Sequence, residues 1–263
     1  METITAKQIT DISLEVGRIM LQSGSSTNRV ETMMRKVCVG FGYPDTESYV
    51  TPTGIFISVA TEGGRIDTSI KRIENRRIDL GKITRVSRLV NTLAQHSITE
   101  DKKLHEYRKL NAELIQIDTE QVWPQWLTNL CGGATSGFFC LLFGGAWSEF
   151  LIASVIGIIV SWGMKYLARL AFNNFLLNAL AAALIVFLAK LSDYYLPYIR
   201  LDQIIIGGIM LLVPGLSITN AIRDTMSGDL VSGTARAVEA LFITVGVVAG
   251  SGSMLKIWAL WGW

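Results

Sequence analysis

The chain has 263 residues, half of them hydrophobic and only 17% charged, with a formal net charge of +2 and a mean hydropathy of +0.38, whereas soluble domains average about 25% charged residues. Residues 1–123 hold 17 Lys/Arg and 16 Asp/Glu, while residues 124–263 hold only 7 and 6. A soluble-looking first half joined to a membrane-like second half excludes a purely soluble enzyme, a secreted disulfide scaffold and a disordered chain, and so small a net charge gives nucleic acid no footprint.

The first residues carry no basic segment followed by an apolar one, so a signal peptide is not expected and the first half is expected to stay in the cytosol. Residues 4–22 place Ile9, Ile12, Val16, Ile19 and Met20 on one helical face. After a break at Gly24-Ser25-Ser26, Asn28 with Glu31 three residues on reads as an N-cap and its capping-box partner. The second helix turns Val30, Met33, Val37 and Phe41 inward and stops at Gly40/Gly42. The period then changes to two: residues 49–61 and 65–73 read as strands, with Glu62-Gly63-Gly64 as the turn between them. Leu80, Ile83, Val86, Val90 and Leu93 mark a third helix. Leu104, Tyr107, Leu110, Leu114 and Ile117 mark a fourth, entered at Thr99-Glu100-Asp101. The prediction is a cytosolic α+β domain over residues 1–122.

Its polar residues offer little chemistry. Ser23, Ser25, Ser26 and Thr27 flank a turn without a partnering base, so no nucleophile is indicated. His96 and His105 have no ligand-spaced partner, and Cys38, Cys131 and Cys140 form no CxxC pair, so neither a metal site nor a disulfide is read. No phosphate-binding loop is present, and no cofactor is expected. Arg72, Arg76, Arg77, Lys82, Arg85 and Arg88 could bind an anion or acidic headgroups, or form a solvated face on the positive side of a membrane.

Residues 123–263 read as an α-helical multi-pass membrane domain with five spans, near 126–145, 147–164, 173–191, 203–222 and 237–258. With the N-terminal domain in the cytosol, Lys165, Arg169, Arg223 and Arg236 fall on the inner side. Trp123, Trp126, Trp147, Trp258, Trp261 and Trp263 lie near span ends, where indoles favour the interface. Gly133…Gly137 and Gly246…Gly250 are GxxxG patterns that let helices approach closely.

The fourth span carries the polar residues. Pro214 removes a backbone hydrogen bond and should break the helix, with Gly215 easing the break. Counted from Gln203, Pro214 lies about 17 Å along the span, near the bilayer centre. Pro214, Ser217, Asn220 and Asp224 share one face, which should meet protein or a water-filled cavity rather than lipid. A broken helix at that depth suits a substrate site, with freed amides facing a carboxylate. A kink made only for packing, with Ser217 and Asn220 bonding neighbouring helices, fits the segment as well. Arg236 and Glu239 are spaced to pair on one helix face.

The stretch LLVPGLSITNAIRDTMSGDLVSGTAR, with Pro214, Gly215, Asn220, Asp224, Gly228, Gly233 and Arg236, resembles the threonine/serine exporter family in its N-terminal-half form. So do residues 23–31 (SGSSTNRVE), 51–58 (TPTGIFIS) and 77–91. Within the family the likeness is nearest to the larger chain of two-component dicarboxylate (succinate) exporters. The resemblance implies a bacterial inner-membrane exporter of a small carboxylate metabolite, either a succinate-like dicarboxylate or threonine/serine. It also implies a separate small membrane protein supplying the second half. On that reading Ser217, Thr219 and Asn220 offer hydrogen bonds, Arg223 or Arg236 holds a second carboxylate, and Asp224 suits the ammonium of an amino acid. The alternative is a regulatory or scaffolding subunit whose cytosolic domain senses a metabolite. A membrane-anchored enzyme would need a catalytic constellation that the sequence does not offer.

Overall fold

A computed structural model of the chain describes residues 4–60, 64–74, 76–95, 98–120, 123–169, 172–196 and 198–260. They form ten helices and one three-stranded sheet, and divide into two compact units, residues 1–120 with 216–237 and residues 121–215 with 238–263.

In the first unit α1 (Ala6–Gln22) opens with Thr5, whose hydroxyl accepts from the Gln8 N–H while Gln8 accepts from the Thr5 N–H, a reciprocal cap. α2 (Thr27–Gly40) is not capped by Asn28, as the spacing had suggested. Ser26 holds the N-cap position without a side-chain bond, and Glu31 reaches away to accept the Val50 N–H at 2.9 Å. The expected cap is thus a tie between helix and sheet. The helix stops where Gly42 takes φ +90°, a conformation that costs glycine little.

The described part of the stretch, residues 49–60, belongs to two strands, not one. β1 (Thr46–Thr51) turns through Pro52-Thr53 into β2 (Gly54–Ala60), which pairs antiparallel with β3 (Ile66–Arg72) on its other side. Pro52 favours the first corner of a tight turn and cannot donate to a ladder, so the run folds back there. Of the expected turn before β3, Glu62 and Gly63 lie outside the described residues. α3 (Leu80–Ala94) is capped by the Asp79 carboxylate on the Lys82 N–H, and α4 (Glu100–Thr119) follows from Thr99. Ile9, Ile12, Val16, Ile19 and Met20 of α1 meet Val30, Met33, Val37 and Phe41, Val50, Ile55 and Ile57, and the inward faces of α3 and α4 in one core. Leu80, expected inside, is exposed at the start of α3.

Three members of the basic cluster, Arg72, Lys82 and Arg85, form ion pairs. Asp118 of α4 takes Arg18 of α1 at 2.7 Å and Lys82 of α3 at 3.6 Å, joining three helices. Burial pushes the Asp118 carboxyl up, but Arg18 and Lys82 together hold it below the usual carboxylate range. Arg85 pairs with Glu120 at 2.8 Å and Arg72 with Glu74 at 3.4 Å. His105 is exposed on α4, and His96 lies outside the described residues.

In the second unit α6 (Trp147–Ala168) and α7 (Asn174–Tyr195), with α10 (Leu230–Leu260) entering from Val238, are the described helices long and apolar enough to cross a membrane. The expected first span is α5 (Gln125–Leu142), where Asn129, Thr135, Ser136 and three glycines dilute the apolar character. The expected fourth is split between α8 (Leu201–Ile209), nine residues and so about 14 Å long, and α9 (Gly215–Met226). Both GxxxG patterns lie at close contacts. Gly133 and Gly137 meet Ser154 and Phe150 or Ile158 of α6, and Gly246 and Gly250 meet Phe175 and Ala179 of α7. The buried Glu149 accepts the Ala146 N–H at 2.6 Å and the Arg200 N–H at 3.2 Å, fastening the start of α6 to the start of α8. Trp258 packs edge-on against Phe187 with ring centroids 5.9 Å apart, while Trp261 and Trp263 lie outside the described residues.

These contacts set two neighbouring glycines apart. A methyl group on Gly250 would collide with the Ala179 carbonyl, whereas Gly252 has open space around it. Gly250→Ala should lower the thermal midpoint of the purified protein in detergent by several degrees, as overpacking costs about 1–3 kcal/mol. Gly252→Ala should leave the midpoint unchanged or raise it, as Ala is about 1 kcal/mol the better helix former.

Candidate functional site

The polar face of the broken helix is satisfied within the first unit. α8 ends at Ile209, and the chain turns through Met210–Pro214 before α9 begins at Gly215. Pro214 therefore marks a true interruption. From α9 the chain reverses at Ser227-Gly228-Asp229, where Gly228 adopts φ +92° and the Asp229 N–H returns to the Asp224 carbonyl at 2.9 Å. Gly233, one turn into α10, lies so near Thr225 and Ala221 that a side chain would strike α9 backbone atoms 3.0–3.1 Å away. This close approach brings the two arms of the hairpin together and lets Arg236 reach Asp224.

The contact is an ion pair, Arg236 Nε to Asp224 Oδ2 at 3.0 Å, with side chains 5% and 0% exposed. Each member of the pair also bonds to the turn between α1 and α2. Asp224 Oδ1 accepts the Thr27 N–H at 3.2 Å, and Arg236 donates to the Ser25 carbonyl at 2.8 Å. Asn220, one turn before Asp224, donates its amide to the Gly24 carbonyl at 2.9 Å. The Thr27 hydroxyl donates to Asp229 at 3.1 Å, and the Ser232 hydroxyl to the Val50 carbonyl at 3.4 Å. Taking both charges out of water is costly, and the pair is tolerable because hydrogen bonds accompany the Coulomb attraction. The Ser25 hydroxyl is buried there without a hydrogen-bond partner.

The residues expected to form a site divide accordingly. Asn220, Asp224 and Arg236 are buried together. Ser217 is half-buried, and Thr219 and Arg223 are exposed on other faces of α9. Pro214 is half-buried and Gly215 exposed at the interruption. The sequence reading names Gly24, Ser25, Thr27 and Glu31 only as a helix break, a cap and part of a family-like stretch, and does not single out Asp229 and Ser232. One signal was available: a carboxylate on a stripe facing protein needs a cation, and Arg236 follows a glycine turn that can fold it back. Nothing local announces the backbone groups of residues 24–27, which lie far away in the chain. Among the described residues no group of His, Cys, Asp and Glu could hold a metal ion.

Residues 11–258 match the family model ThrE, described as "Putative threonine/serine exporter". The chain belongs to the threonine/serine exporter family. That membership places it among exporters rather than enzymes, and with its long apolar helices it is a membrane protein. It is 26% identical to "Probable succinate transporter subunit YjjP" of Escherichia coli over the full length of both chains. It is 24% identical to "Threonine/serine exporter" of Corynebacterium glutamicum over 95% of its own length and 51% of that protein's, and 22% identical to "Probable threonine/serine exporter" of Mycobacterium tuberculosis over 95% and 46%. The chain thus spans about half the length of those two relatives. No solved structure is similar to it.

A buried pair of this kind is sensitive to losing one member. Arg236→Leu alone should destabilise the protein by about 3–5 kcal/mol, since it leaves Asp224 charged and buried, while Asp224→Leu with Arg236→Leu should cost clearly less than the two single changes summed. Thermal or denaturant unfolding of the three variants measures this, and an additive double mutant would mean that the pair is not coupled.

Proposed function

We propose that this chain is one half of an exporter for a small carboxylate metabolite, a succinate-like dicarboxylate in preference to threonine or serine, and that it works with a separate small membrane protein. The preference for a dicarboxylate rests on the likeness, 26% identical along the whole alignment, to a relative named as a succinate transporter subunit. Counting α5 and the segment from α8 to Pro214 with the three long helices gives five crossings, with α9 left in the first unit. Lys165, Arg169 and Arg223 between crossings favour the cytosol for the N-terminal domain of a bacterial plasma-membrane protein.

The buried Asp224–Arg236 pair carries the mechanistic reading. A guanidinium binds carboxylates through paired N–H donors, and here Arg236 already holds one, belonging to the protein. This is a closed state, in which Asp224 stands where a substrate carboxylate binds once the contact between Asp224 and Arg236 opens. Asn220, released from the Gly24 carbonyl, then offers its amide to the substrate, with Ser217 and Thr219 beside it. The exposed Arg223 takes the second carboxylate of a dicarboxylate. For threonine, the freed Asp224 would receive the ammonium instead. Alternation between closed and open states about the Pro214-Gly215 interruption moves the substrate.

The test is export from metabolite-loaded cells expressing the chain with its membrane partner. Succinate efflux should require both chains, and Arg236→Lys, which keeps the charge but loses the planar fork, should lower it about tenfold or more at equal membrane abundance. Unchanged efflux would remove Arg236 from the substrate site. Efflux of threonine instead of succinate would make Asp224 the discriminating residue.

A further inference from the structure

The buried pair has acidic neighbours that one guanidinium does not balance. Glu31 follows Thr27 by one turn on the same face of α2, and Thr27 holds Asp224 through its N–H and Asp229 through its hydroxyl. Val50 joins Glu31 to the same cluster from the sheet. Its N–H donates to Glu31 Oε1 at 2.9 Å and its carbonyl accepts from Ser232 of α10 at 3.4 Å. Three carboxylates, Glu31, Asp224 and Asp229, therefore gather around Arg236, the one buried cation among the described residues.

Glu31 also borders a groove of about 540 Å³, lined by Arg35 of its own helix, by Glu47 and Tyr49 of β1 and by Phe56 of β2. The charged and titratable groups around Glu31 are thus Asp229 and Asp224 from the hairpin, Glu47 and Tyr49 from the sheet, and Arg35 from α2. Burial raises the Glu31 carboxyl above its ordinary range, the Val50 N–H opposes this, and Asp229 and Asp224 add to the rise. An acid so raised takes up a proton at a higher pH than a free glutamate does.

Resting on the export reading above, we infer that Glu31 takes up a proton when a substrate carboxylate replaces Asp224 on Arg236, so that the substrate anion and a proton are bound together. While the pair is closed, Arg236 offsets the charge of Asp224. Once substrate holds the guanidinium, Asp224 is left uncompensated beside Glu31, and a proton on Glu31 relieves the repulsion. The groove supplies it. Oε1 keeps the Val50 N–H, Oε2 receives a proton from groove water, the bulk buffer replaces it, and no other bond changes. Linkage is reciprocal, so acidification that protonates Glu31 tightens substrate binding by the same factor.

Calorimetry of succinate binding to the full chain with its membrane partner, in buffers of different ionisation enthalpy, counts the protons. The wild type should take up a fraction rising toward roughly one proton per succinate as the pH falls from neutral. Glu31→Gln, whose amide oxygen can still accept from Val50, should bind succinate without that uptake, and Glu31→Asp should restore it with its maximum at a different pH. Binding by the wild type without uptake would overturn the inference, as would undiminished uptake in Glu31→Gln. If Glu31→Gln does not fold, an unchanged pH profile in Glu31→Asp would overturn it equally. Succinate that fails to bind the wild type at all would bring down the export reading, an outcome distinct from binding without proton uptake.

Discussion

A carboxylate and a guanidinium that water does not reach must find each other, and the first unit is arranged so that Asp224 and Arg236 do. The glycine at 228 reverses the chain, the glycine at 233 lets the returning helix lie against α9, and only then is Arg236 within 3.0 Å of its partner. Each member of the pair also makes a bond to the backbone of residues 25–27, with Asn220 adding its bond to Gly24. Loss of any of these elements leaves a buried charge short of partners, so turn, close approach and loop form a single constraint.

The unit that contains the pair is discontinuous in sequence. Residues 216–237 pack with an α+β domain that ends near residue 120, and the apolar helices α5 to α8 intervene. In the proposed exporter this gives the N-terminal domain a physical role: its α1–α2 turn is what the polar hairpin binds. The same turn holds the buried, unpartnered Ser25 hydroxyl beside a guanidinium, a tolerable arrangement where groups must exchange partners.

Much of the α+β core was legible in the sequence. Helical periodicity marked Ile9, Ile12, Val16, Ile19 and Met20, and then Val30, Met33, Val37 and Phe41, all of which are buried. The misreadings share one cause. Pro52 was read inside a strand because alternation continues on both sides of it, yet the chain turns there. Glu31 fits a capping box by spacing, but Val50 outcompetes the local partner. Leu80 matched the helical period and stays exposed because it lies in the first turn. Local pattern and tertiary contact disagreed, and contact prevailed. In the candidate site the stripe of Asn220 and Asp224 and the break at Pro214 could be read from residue type and spacing alone. The partners at residues 24–27 could not, because they contribute mainly backbone groups, which every sequence possesses.

The discontinuity also orders events in time. Residues 1–120 leave the ribosome well before residues 216–237 exist, and four further helices are made in between. During that interval the nascent domain has its apolar core but not the hairpin that covers its α1–α2 turn, so Gly24, Ser25 and Thr27 keep their carbonyls and amide solvated by water. Contacts spanning some two hundred residues close last and close slowly, because the loop they complete is long. The final step of folding in the first unit thus waits for the intervening helices to be synthesised, which makes the bonds from Asn220 to Gly24 and from Arg236 to Ser25 a late marker that both ends of the long excursion have arrived in register.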